Sequence, residues 1–159
     1  MVFEKPASPS GSCIFCEDIR QEINSKQSYI GVFVGNELKV LGVLPASIGK
    51  FSIQATFRQR VTDGFEPVTL EVHLPGDDDD KPSARIDAPF EDLSAQLPPT
   101  PADVDDPFFQ IVMGFQFNPL TITQEGRITV SAIKAGKRYR IGSLRVFSEP
   151  PAETKEAAN

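Results

Sequence analysis

The chain has 159 residues, of which 40 % are hydrophobic and 24 % charged, and its formal net charge is −6. Such a length suits one globular domain with a core of useful size, and so acidic a chain makes a poor general nucleic-acid binder, whose phosphate contacts need net cationic surface, although a local basic face is compatible with it. There is no apolar run of about 18 residues for a spanning helix, no apolar h-region in MVFEKPASPSGS, and two cysteines are too few for a disulfide framework, so a cytoplasmic location away from any membrane is expected.

Residues 1–11 are polar and rich in Pro, Ser and Gly, and are expected as a disordered lead to a single β domain over 12–147. CIFCEDIRQE from Cys13 to Glu22 opens as a strand, NSKQ turns, and Ser28–Val34 (SYIGVFV) is β-branched and aromatic enough for a mostly buried strand. A short strand is expected near Leu38–Leu41. In Lys50–Arg60, Phe51, Ile53, Ala55 and Phe57 alternate with Ser52, Gln54, Thr56 and Arg58, a period of two that buries one face and wets the other. After the turn TDGFEP, Val68, Leu70, Val72 and Leu74 repeat the pattern against Thr69, Glu71 and His73.

Ser83–Phe90 alternates again, and Pro89, which lacks a ladder donor, makes it a short or edge strand. Acidic residues 76–82 and the proline-rich stretch 94–107 read as loops. Phe108–Asn118 returns to strand with Phe109, Ile111, Met113, Phe115 and Phe117 on one face. Arg127–Lys134 and Arg138–Phe147 then flank the turn Ala135-Gly136-Lys137. In the last of these the apolar phase shifts from Tyr139 and Ile141 to Leu144 and Val146, which predicts a bulge at Gly142. Residues 148–159 read as a flexible tail. Eight or nine strands without a strong amphipathic helix predict an all-β fold, an antiparallel sandwich of Ig-like or Greek-key type, with a small barrel as the alternative. Twelve phenylalanines and no tryptophan predict a Phe-based core.

Charge is unevenly placed. Residues 76–106 carry ten acids against two bases, and residues 107–147 carry one acid against six bases. In the C-terminal hairpin Arg127, Arg138, Arg140 and, beyond the bulge, Arg145 share the outward phase. Guanidinium groups so arranged suit phosphates, carboxylates of a partner, or the chain's own acidic loop. Charge pairing within or between proteins ranks first and nucleic acid last, since no aromatic rings for base stacking interleave with these arginines.

Other candidates reduce to ordinary roles. Cys13 and Cys16, three apart on a strand, point to opposite faces, and zinc would need two further ligands where His73 is the single histidine; both are read as structural. His73 lies on the wet phase with no nucleophile at triad spacing and is read as solvent-facing. Asp77–Asp80 has calcium-loop composition without the spaced acids or distal Glu of an EF-hand, so an acidic turn is preferred to a calcium site. No catalytic, metal or cofactor motif is recognised. Asp18, Arg20 and Glu22 share one phase and are read as an ion-pair ladder that orients a turn or docks a partner.

The stretch Cys16-Glu17-Asp18-Ile19-Arg20-Gln21-Glu22, then Ser28-Tyr29-Ile30-Gly31-Val32-Phe33, resembles the opening of a bacterial family of small proteins with no assigned function. Its members begin near C-(D/E)-D-I-R-x-E and continue to an apolar strand ending G-V-(Y/F). Leu44-Pro45 and Ser143-Leu144-Arg145-Val146 resemble later parts of that pattern, and the extra Cys13 and the run Asp77–Asp80 depart from it. The resemblance implies a bacterial, cytosolic, β-rich protein and no particular activity. The expected function is a non-catalytic binding module that engages another protein or its own copy. A structural subunit of a bacterial or phage-derived assembly and a small-ligand protein or enzyme are the alternatives.

Overall fold

Alternating apolar residues decide which face each strand buries, and the computed structural model, which describes residues 7–88 and 107–149, shows how those faces meet. Twelve strands run in chain order among the described residues: β1 (Ser10–Cys16), β2 (Asp18–Gln21), β3 (Gln27–Ile30), β4 (Glu37–Leu41), β5 (Ala46–Ile48), β6 (Phe51–Arg60), β7 (Val68–His73), β8 (Ala84–Ala88), β9 (Phe108–Phe117), β10 (Leu120–Ile122), β11 (Gly126–Lys134) and β12 (Lys137–Glu149). One sheet has the order β1-β6-β9 and another β4-β12-β11-β7-β8, with the small pairs β2-β3 and β5-β10 beside them. The fold is an all-β sandwich, open rather than closed into a barrel. No helix among the described residues is long and apolar enough to cross a membrane.

The inner faces are those the alternation marks. Phe51, Ile53, Ala55 and Phe57 of β6 and Phe109, Ile111 and Phe115 of β9 meet Val68, Leu70, Val72, Ile128, Val130, Leu144 and Val146 of the five-stranded sheet, all buried. Phe51 is the centre of an aromatic cluster, 5.7 Å from the Phe33 ring, 6.3 Å from Phe117 and 6.4 Å from Phe15. The sheets approach closely where β1 crosses β12: a Cβ at Gly142 would stand 2.6 Å from the Cβ of Cys13, so only glycine fits there. The expected bulge is present at that point. Val130 pairs with Gly142 and Ser131 with Arg140, leaving Ile141 as the extra residue.

Several expectations change. Ser28–Val34 does not run as one buried strand, because Gly31 (φ 64°) and Gly35 (φ 79°) turn the chain and leave Val34 88 % exposed. β4 pairs with β12 in parallel, so the five-stranded sheet is not wholly antiparallel. The count exceeds eight or nine because β5 and β10, of three residues each, are too short to show a period. Within the expected lead and tail, β1 begins at Ser10, the Ser8 hydroxyl accepts the Arg60 N–H at 3.0 Å, and β12 runs to Glu149, while residues 1–6 and 150–159 lie outside the described residues. β8 is an edge strand as expected, while Pro89, Phe90 and most of the 94–107 stretch lie outside the described residues.

Candidate functional site: an arginine-lined groove

The outer face of the five-stranded sheet is built from cross-strand rows. Arg85, Glu71, Ser131 and Arg140 stand in one row from β8 to β12, and His73, Thr129 and Ser143 form the next. Cross-strand neighbours lie close enough to interact directly. The β7–β8 turn, residues 74–79, and the turn before β11, residues 124–126, rise on either side of these rows. Between them is an open groove of about 490 Å³, lined on its sheet side by His73, Arg127, Thr129, Ser131, Arg138 and Arg140.

Three of the four arginines singled out by phase thus share one groove. Their environments differ. Arg138 is committed inward: its Nη2 lies 3.2 Å from Glu71 Oε2 and donates to the Asp79 carbonyl at 3.3 Å, and its Nη1 lies 3.3 Å from His73 Nε2. Arg127 donates to the Ser143 hydroxyl at 3.2 Å, and neither it nor Arg140 has a carboxylate partner among the described residues. Arg145 stands opposite Arg127 in register but is held outside the groove, 3.5 Å from Glu37 and 5.4 Å from the Phe147 ring centre.

Glu71 and His73 are not the wet residues their phase predicts. The Glu71 side chain is 5 % exposed, with Arg85 at 3.6 Å, Arg138 at 3.2 Å and His73 at 3.5 Å. The His73 side chain is 12 % exposed and therefore not solvent-facing. A carboxylate enclosed this way is tolerable because arginines supply the charge that water would otherwise screen. Burial arises because long side chains from β8 and β12 fold over a central strand, which periodicity within β7 alone does not reveal.

The acidic loop is occupied with its own turn. One Asp77 carboxylate oxygen accepts from the N–H groups of Leu74 (2.8 Å) and Ser83 (3.0 Å) and from the Ser83 hydroxyl (2.7 Å), while Asp78 pairs with Lys81 at 3.4 Å. Among the described residues no three or more His, Cys, Asp or Glu side chains gather to hold a metal ion. Glu125, on the opposite wall, accepts from the Ser148 hydroxyl and N–H.

Asp18, Arg20 and Glu22 lie elsewhere, on the β2–β3 hairpin. That hairpin is tied to the other sheet, since the Tyr29 hydroxyl donates to Gln54 of β6. Asp18 accepts from Lys50 at 3.2 Å and Arg20 at 3.4 Å. Glu22 follows the end of β2 and its side chain joins no ion pair among the described residues, so the expected ladder is a pair completed by Lys50. Cys13 and Cys16 are free thiols on opposite sides of β1, and burial pushes the Cys13 thiol up to about 12.

The sequence reading missed that Glu71 and His73 belong to the arginine cluster. The available signal was that they share the outward phase of the strand beside β11, which presents only Thr129 and Ser131 between them and the arginines. Comparison of the chain with protein-family models, curated proteins and solved structures finds no match.

Proposed function

We propose that the protein is a non-catalytic binding module that takes a carboxylate-bearing segment of a partner protein into the arginine groove. The observation that carries this reading is the pair Arg127 and Arg140, exposed at an open groove with no carboxylate of their own among the described residues. A guanidinium presents a planar fork of donors that matches a carboxylate. Arg127 is held in place by Ser143, and Arg138 by Glu71 and the Asp79 carbonyl, which lowers the ordering cost a partner would meet at those two cations. By the resemblance of its opening motif, the protein is proposed to be bacterial and cytoplasmic.

A volume of about 490 Å³ also falls within the range of small-molecule sites, which favours a small polycarboxylate as the second reading. The test is recovery of the tagged protein from its host, with co-purifying proteins and small molecules both identified by mass spectrometry. Arg127→Glu combined with Arg140→Glu should weaken the recovered complex about tenfold or more, equivalent to about 1.4 kcal/mol, with the melting temperature little changed. An undiminished affinity in that variant overturns the proposal. Recovery of a small acid in place of a protein transfers the groove to the second reading.

A further inference from the structure

Arg138 lines the arginine groove beside Arg127 and Arg140, yet its guanidinium is engaged below it. Its Nη2 lies 3.2 Å from Glu71 Oε2 and its Nη1 3.3 Å from His73 Nε2. A guanidinium has donors only, so Nε2 is the acceptor here and the neutral ring carries its proton on Nδ1. The same Nε2 lies 3.5 Å from Glu71 Oε2, which is itself an acceptor. Two acceptors thus face each other beside Arg138, and Glu71 Oε2 is buried with no well-directed hydrogen-bond donor among the described residues.

A proton on Nε2 reverses both contacts. It gives Glu71 Oε2 the donor that it lacks, and it removes the acceptor that holds Arg138 Nη1. Charge favours the same exchange. Glu71 carries one negative charge, and Arg85 already stands 3.6 Å from its Oε1 while also held by Asp87 at 3.2 Å. With His73 charged, three cations would crowd one carboxylate where water screens little. Arg138 is the one placed to leave. Its side chain is 45 % exposed against 12 % for His73, and its further bond is a single one, to the Asp79 carbonyl at 3.3 Å.

The other acids around the ring are engaged elsewhere: Asp77 accepts from Leu74 and Ser83 of its own turn, and Glu125 on the opposite wall accepts from Ser148. Arg127 of β11 and Arg140 of β12 repel a third cation, so an anion in the groove completes the exchange.

We infer that His73 is a proton-operated switch on the groove: once protonated it replaces Arg138 at Glu71, and Arg138 turns outward as a third cation for the bound carboxylates. The ligand rests on the carboxylate reading of the groove, whereas the exchange of partners belongs to the protein alone. By linkage, acid tightens anion binding and a bound anion favours the charged ring. Imidazole ordinarily changes charge between about pH 5 and 8, so the switch works in that range.

The chain has one histidine, so labelling histidine with nitrogen-15 gives the signals of a single ring. At about pH 8 the ring proton should reside on Nδ1. The guanidinium signal of Arg138, identified by its loss in Arg138→Met, should be that of a held side chain, and should move to the position of a solvated one as the ring charges. The binding probe is a blocked hexapeptide of alternating aspartate and serine, which stays ionised above about pH 5. Its affinity should rise about tenfold between about pH 8 and pH 5.5, a usual size for coupling between two sites. That rise should vanish in His73→Gln and in Arg138→Met. A proton on Nε2 at the higher pH, an Arg138 signal indifferent to the charge of the ring, or an equal rise in His73→Gln overturns the inference. A peptide that binds at no pH overturns the carboxylate reading instead, and the ring and guanidinium signals then decide the switch by themselves.

Discussion

Glu71 illustrates how a single side chain acquires its environment from neighbours far along the chain. Arg85 comes from the next strand and Arg138 from the last hairpin, and together with His73 they enclose a carboxylate that β7 alone would leave wet. Elsewhere in the chain, three carboxyls are held below their usual range by donors that reach them from other residues. Asp18 is lowered first by Lys50, Asp87 first by the Thr69 hydroxyl, and Glu125 first by the Ser148 hydroxyl. Because these groups are more acidic folded than unfolded, their contribution is complete above the unfolded carboxylate value, near about 4. It is lost as pH falls through the lower folded values. Thermal melts from pH 6 to pH 2 should therefore decline below about pH 4, and Glu125→Gln should make that decline shallower. An identical profile in Glu125→Gln would show that Ser148 contributes nothing through this carboxylate.

At the scale of elements, the bulge in β12 lets one strand serve two phases. Before it, Arg138 and Arg140 face the groove; after it, Leu144 and Val146 enter the core while Ser143 and Arg145 face outward. The extra residue sits beside the closest approach of the two sheets, where Gly142 meets Cys13 and, at 3.3 Å from its Cβ position, Phe15. Gly142→Ala should destabilise the protein by about 1–3 kcal/mol in urea denaturation, as overpacking does. Cys13→Gly should recover part of that loss in a double-mutant cycle, and strict additivity of the two changes would refute the steric account. This bulge was legible because the apolar phase visibly slips at one glycine. β6, β7 and β9 were legible because their apolar residues keep a period of two. β5 and β10 were not, since three residues carry no period, and the β4–β12 parallel pair joins segments that nothing local relates.

For the molecule as a whole, the Cys13 thiol lies where it reports on the separation of the sheets. Cys16 is fully buried, and Cys13 is pressed against Gly142 of the facing sheet. Burial raises both thiols above the ordinary cysteine value, which leaves little thiolate for nucleophilic attack. Alkylation of Cys13 at pH 8 should accordingly proceed through opening of the sandwich. Its denaturant dependence should match that of global unfolding, and rapid labelling of the native protein would contradict this.

The strand order β4-β12-β11-β7-β8 also has a consequence for synthesis. β4 is made early, yet its partner β12 is the last strand of the described chain. At about 5–20 residues per second, the ribosome leaves β4 without that partner for roughly 5–20 s. Throughout that interval Leu38 and Val40, both buried in the finished fold, have no sheet to enter. The nascent chain therefore passes through a stage in which β4 waits on the last described strand, with Leu38 and Val40 in need of other cover until translation reaches Glu149.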